Sequence, residues 1–150
     1  MTEALFYHLE RQKVEDVLPV LLLRTLERGW KAVVQAGSRE RLEAIDSHLW
    51  TFDDAAFLPH GTSEDGRDAD QPVFLTTGPE TPNGAAVRFL VDRAELPPHL
   101  ETLERVVLLF DGTDEAALGD ARAAWKQLKG LGFSVTYWQQ DDAGRWTRKA

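Results

Sequence analysis

Cysteine is absent from the chain. That excludes a disulfide framework, a thiolate zinc site and a thiol nucleophile. No run of about 18 apolar residues occurs, so no transmembrane helix is expected. The opening Met1–Tyr7 stretch has no basic segment before an apolar core, so no secretory leader is expected and a cytoplasmic location is the default. The first candidate strand runs into Glu10-Arg11-Gln12-Lys13, without the Gly-x-Gly-x-x-Gly that lets a pyrophosphate approach the backbone, and there is no P-loop. His8, His48, His60 and His99 are scattered without metal-ligand spacing. Asp65, Asp68 and Asp70 lack the twelve-residue calcium loop with its terminal Glu, and Ser38 and Ser63 lack a nucleophile elbow. No cofactor, metal or catalytic residue is therefore expected. A small α/β enzyme or nucleotide-binding protein with an unrecognised pocket is the alternative, and it predicts convergent polar groups at the carboxyl ends of the strands.

What is present is a 150-residue chain, 43% hydrophobic, long enough for one domain over residues 1–150 with a real core. Its net charge of −8 is unevenly spread. Residues 121–150 hold six bases against two acids, while the first 120 hold 11 bases against 23 acids. The acidic body argues against direct, salt-driven DNA binding over a wide surface. It leaves room for a local basic site near the C-terminal end.

Along the chain, Ala4–Leu9 reads as a strand and Val14–Arg28 as a helix ended by Gly29. Pro19 is tolerated in a first turn, which moves the expected helix start to an Asp16 N-cap. Trp30–Ala36 is a strand and Arg39–Trp50 a helix with Leu42, Ile45, His48 and Leu49 on its apolar line. Gly37-Ser38 between them fits either a tight turn or a phosphate-holding helix start. Asp53–Asp70 carries six acids around the apolar island Phe57-Leu58-Pro59-His60, and Gly61–Gln71 is expected to be a mobile loop. Strands follow at Pro72–Thr76, Ala86–Val91 and Arg105–Phe110, the last apolar enough to lie centrally in the sheet. Thr113–Gly130 is a helix, with Thr113 as N-cap and Gly130 as stop. Phe133–Trp138 is a strand, and Arg145–Thr147 pairs back across the turn at Asp141–Gly144. The β-α-β-α order predicts a Rossmann-like α/β fold: a mostly parallel, mixed sheet with helices on both faces.

The last helix carries two separate lines. Ala117, Ala121, Ala124 and Leu128 recur at steps of four, three and four, small enough to lie close against a sheet. Arg122, Trp125, Lys126 and Lys129 form a second line. One reading is a solvated basic face with a packing tryptophan. The other is a place that receives an acidic ligand with an apolar end.

Several segments together resemble the chi subunit family of bacterial DNA polymerase III holoenzyme. They are Phe6-Tyr7, Leu49-Trp50, Phe57-Leu58-Pro59-His60, Ala121-Arg122-x-x-Trp125-Lys126 before Gly132-Phe133, and the tail Tyr137-Trp138-Gln139-Gln140 with Gly144-Arg145-Trp146. The resemblance covers nearly the whole chain and rests on the order and spacing of these segments. It implies a non-catalytic clamp-loader accessory subunit that holds the acidic C-terminal tail of single-stranded DNA-binding protein, ending in Pro-Phe. The tail-binding residues it implies are Arg122, Trp125 and Lys126; Lys129 is added as a nearby base without support from the family pattern. Some relatives carry a base where this chain has Leu118. The resemblance also implies a second surface at Trp50 and Phe57 for the psi subunit or an equivalent partner, in some bacteria a repair helicase. DNA would be engaged only indirectly.

Overall fold

The computed structural model describes residues 2–51 and 58–150. The elements run β1 (Glu3–Leu9), α1 (Val14–Glu27), β2 (Ala32–Ala36), α2 (Arg39–Thr51), β3 (Gly61–Thr62), β4 (Val73–Thr76), β5 (Val87–Val91), β6 (Arg105–Asp111), α3 (Glu115–Gly130), β7 (Ser134–Gln140) and β8 (Trp146–Arg148). They build one sheet of eight strands in the order β3-β4-β2-β5-β6-β1-β7-β8. Every pairing is parallel except β7 with β8, which closes one edge as an antiparallel hairpin. β6 lies inside the sheet between β5 and β1, as its continuous apolar run requires.

Strand alternation divides the core. Leu9, Val34, Phe89, Val107 and Leu109 face α1 and α2, while Phe6, Leu90, Val106, Leu108 and Phe110 face the alanine line of α3. The helices therefore cover both faces, and the fold is the α/β arrangement expected from the order of the elements.

α1 begins earlier than expected, at Val14, with Lys13 as the cap residue. Asp16 is the third helical residue, and its carboxylate accepts the Lys13 N–H at 3.0 Å. Pro19 thus sits in the second turn, where it costs an intrahelical hydrogen bond. Burial of Val14, Val17 and Leu18 alongside Pro19 overrides that local penalty. The stretch 61–71 is also more structured than a loop. It holds β3 and two short 3₁₀ turns, Ser63–Asp65 and Asp68–Asp70. The Asp65 carboxylate, accepting the Thr62 N–H at 2.8 Å, holds the first of these turns.

Among the described residues, no helix covers the α3 face over β2 and β4. There Arg88, on β5 and 1% exposed, acts as an internal clamp. Its guanidinium donates to the carbonyls of Gly78 (3.3 Å), Pro79 (3.0 Å) and Glu80 (2.5 Å), to Gln35 Oε1 (2.8 Å) and to Thr81 Oγ1 (2.9 Å). The turn region after β4 is thereby laid down over the sheet.

Candidate functional site

α3 is positioned by both of its ends. Asp114, not Thr113, caps it, accepting the Ala116 N–H at 2.9 Å, because Thr113 instead donates to Asp111 Oδ1. The helix ends at Gly130, as expected, with Leu131 as its cap and Gly132 beyond it in the left-handed conformation (φ 87°). The Gly132 N–H donates to the Lys129 carbonyl and the Phe133 N–H to the Leu128 carbonyl, a Schellman ending in which Phe133 and Leu128 join one apolar cluster. Ala117, Ala121, Ala124 and Leu128 are buried on the sheet as their spacing predicts.

The second line of α3 borders an open pocket of about 560 Å³, lined by His8, Leu118, Ala121, Arg122, Trp125, Lys126, Tyr137 and Ala150. Trp125 is half-buried. Its ring meets the edge of Phe6 at 5.4 Å and of Tyr137 at 6.0 Å, so it is both a core residue and a pocket wall. Arg122 and Lys126 are exposed and make no ion pair among the described residues. Lys129 does not line the pocket; its Nζ lies 5.2 Å from the centre of the Trp125 ring. Leu118 supplies apolar wall where a base would have added charge.

The opposite wall was not legible in the sequence. His8 and Tyr137 reach it because β7 lies beside β1, with Phe6 in register with Tyr137. The His8 ring fills the space that a side chain on Gly112 would need. His8 Nε2 lies 2.7 Å from Glu10 Oε1 and Nδ1 lies 2.5 Å from the Tyr137 hydroxyl. With Nε2–H donating to the Glu10 carboxylate, Nδ1 is left to accept the Tyr137 O–H. Burial raises the Tyr137 pKa above its ordinary value, opposed by the nearby positive charge of Arg122. The hydroxyl stays protonated and a donor at neutral pH.

Trp50, on the opposite side of the sheet from α3, is 59% exposed at the end of α2. Its ring lies 4.4 Å from that of buried His60. His60 contacts the Leu58 carbonyl through Nδ1 (2.7 Å) and the Asp46 carboxylate through Nε2 (3.2 Å). Burial raises the Asp46 pKa, an effect that the His60 contact opposes. Phe57, the other residue expected at this surface, lies outside the described residues.

A second cavity, of about 490 Å³, opens between α3 and the segment after β5, where the strands end. Three of the four charged residues in its lining are engaged in ion pairs. Arg93 pairs with Asp120 at 2.5 Å, and Asp92 with Arg41 at 3.0 Å. A Cβ on Gly37 would stand 1.9 Å from the Asp92 carbonyl oxygen. The glycine before α2 thus makes room for protein backbone. Among the described residues, no group of His, Cys, Asp and Glu is arranged to hold a metal ion, and no helix is long and apolar enough to cross a membrane.

Comparison with known proteins agrees with the resemblance carried by the sequence segments. A protein described as "Probable DNA polymerase III subunit chi", from Rickettsia prowazekii (strain Madrid E), is 21% identical over 156 residues, covering 100% of this chain and 93% of the relative. The family model described as "DNA polymerase III chi subunit, HolC" matches residues 1–136, which span every element through the start of β7. The chain belongs to the DNA polymerase III chi subunit family, whose work lies in DNA replication.

Proposed function

We propose that this chain is a non-catalytic accessory subunit of the clamp-loader complex that links the replication machinery to single-stranded DNA-binding protein. It holds that protein's acidic C-terminal tail in the pocket along α3. The observation that carries this reading is the pocket's composition: apolar walls from Leu118, Ala121 and Trp125, with Arg122 and Lys126 at the rim and no acidic side chain in its lining. In a chain of net charge −8, such a pocket selects an anionic peptide with an apolar end. The terminal Phe of the tail fills the space beside Trp125, edge to face with the indole. Arg122 and Lys126 take the tail's aspartates and terminal carboxylate, the guanidinium offering a two-pronged donor face. Lys129 adds positive field from above the Trp125 ring. Nothing in this role requires a cofactor, a membrane or direct contact with DNA. A cytoplasmic protein acting through residues 1–150 as one domain fits it.

A fluorescent peptide carrying an acidic tail ending in Pro-Phe is the direct probe. Saturable binding is expected. Removal of the terminal Phe should weaken it by about 2 kcal/mol, roughly thirtyfold. Equal binding by the peptide without Phe would rule out the pocket as the docking point.

The Trp50 surface serves a second partner in this reading: the psi subunit, its equivalent, or a repair helicase, with Phe57 contributing. Trp50 is exposed, so Trp50→Ala is expected to change unfolding free energy by no more than about 0.5 kcal/mol. The same variant should lose the second partner in a pull-down while keeping the tail peptide. Loss of both together would point to misfolding and defeat the assignment.

A further inference from the structure

The amino ends of β1, β5 and β6 meet the carboxyl end of α1 around a small cavity of about 200 Å³. Its floor is apolar, built of Leu5, Leu21, Val87, Phe89 and Val107. Arg24, Arg28 and Arg105 stand around it. Arg28 and Arg105 are both held on the ring of Trp30, their guanidinium carbons 5.2 and 5.5 Å from its centre. A guanidinium stacked on an indole keeps its N–H edge free for an acceptor.

Those edges are largely unclaimed. Among the described residues, Arg24 and Arg28 have neither an ion pair nor a side-chain hydrogen bond. Arg105 forms an ion pair with Glu3, whose carboxylate oxygen at 3.8 Å is too far for a hydrogen bond, so the buried Nε–H of Arg105 has no hydrogen-bond acceptor. Buried donors in native proteins are nearly always matched by protein or by ordered water, so this N–H is available to an acceptor that enters the cavity. Bases at a helix carboxyl end also favour the helix dipole, which accounts for Arg24 and Arg28 as surface residues. It does not account for Arg105, which belongs to a strand, or for its unmatched Nε. The Tyr7 hydroxyl registers the same cluster: burial raises its pKa, and the charges of Arg105 and Arg24 oppose the rise.

We infer that this arginine-rimmed cavity is a second anion-binding site, separate from the α3 pocket, that takes an acidic peptide segment with one aliphatic side chain. The aliphatic group sits on the Leu5–Val107 floor while flanking carboxylates bind Arg105, Arg28 and Arg24. A nucleic-acid strand fits less well. Base stacking needs an open aromatic face, Trp30 is already engaged by two guanidiniums, and the body of the chain is acidic.

The test uses isotope-labelled full-length protein carrying Arg122→Glu, so that the α3 pocket is disabled independently. The probe is the end-blocked peptide Asp-Asp-Leu-Asp, and the readouts are the NMR signals of the Trp30 indole N–H and the Arg105 Nε–H. Saturable shifts of both signals are expected. They should vanish with the Asn-Asn-Leu-Asn peptide and need about tenfold more Asp-Asp-Leu-Asp when Arg28 is replaced by Gln. Arg28 is exposed, so that substitution leaves the fold intact. No saturable shift, or an affinity unchanged by Arg28→Gln, overturns the inference. Equal shifts from inorganic phosphate or oligo-deoxythymidine at the same concentration also overturn it, in favour of a phosphate site without an aliphatic anchor.

Discussion

Replacing Arg88 by Met is expected to lower the unfolding free energy by about 3 kcal/mol or more, read from urea denaturation with an unchanged slope. The two side chains are close in length, so lost volume is a minor part of the effect. What matters is what remains behind. The carbonyls of Gly78, Pro79 and Glu80 and the amide oxygen of Gln35 all accept from this one guanidinium. Gln35 is buried, and an acceptor left unmatched in such a place costs about 1–3 kcal/mol; Pro79 and Glu80 are exposed, so their carbonyls lose less. Exchanging a buried ion pair for apolar residues can be neutral because both charges leave together. Here most of the acceptors belong to the main chain and cannot be substituted away. Some of the loss is recovered because burial already disfavours the Arg88 charge, lowering its pKa from the ordinary guanidinium value. Arg88→Lys is expected to fall between the two proteins, since an ammonium has three donors and cannot span five acceptors. If Arg88→Met unfolds at the wild-type midpoint, the clamp is not what holds residues 78–81 on the sheet.

Arg88 also shows where sequence reading reaches its limit. In Val87-Arg88-Phe89-Leu90-Val91 nothing local marks the lone base as buried, yet β5 is interior and Arg88 is 1% exposed. Only the chain folding over from the turn after β4 provides its acceptors, and nothing local encodes that return. The same distinction runs through the rest of the molecule. Strand positions, the central place of β6 and the two lines of α3 follow from spacing and composition, and the structure has them. The helix end at Gly130 is where the sequence puts it, but Pro19 and Thr113 differ from expectation because each depends on neighbours: core burial for Pro19 and Asp111 for Thr113. In the α3 pocket, Arg122, Trp125 and Lys126 share one helix, so their grouping was legible. His8 and Tyr137 come from strands whose adjacency is a property of the sheet order.

Trp125→Ala is expected to have two large effects, and separating them is what gives the experiment its force. The indole packs its half-buried ring against Phe6 and Tyr137, so its removal should reduce stability by about 2 kcal/mol, less than the 3–5 expected of a fully buried Trp. If the same ring is the wall for the tail's terminal Phe, peptide affinity should also fall by about 2 kcal/mol or more, at least thirtyfold. A binding loss alone would be ambiguous, because a loosened α3 would also release the peptide. Lys126→Glu removes the ambiguity. Lys126 is exposed, so its charge reversal should leave the unfolding midpoint near that of the wild type. Affinity should nevertheless drop most at low ionic strength, where the contact between the ammonium and the acidic tail is least screened. The Trp125→Ala defect should persist at high salt, since the contact it removes is apolar. Two variants with opposite salt signatures, only one of them destabilised, would assign the aromatic wall and the basic rim separately. If the Trp125→Ala protein binds the peptide as wild type does at a temperature where it is fully folded, the indole serves the core alone. The basic line on α3 would then be a solvated surface, and the tail would have to dock elsewhere.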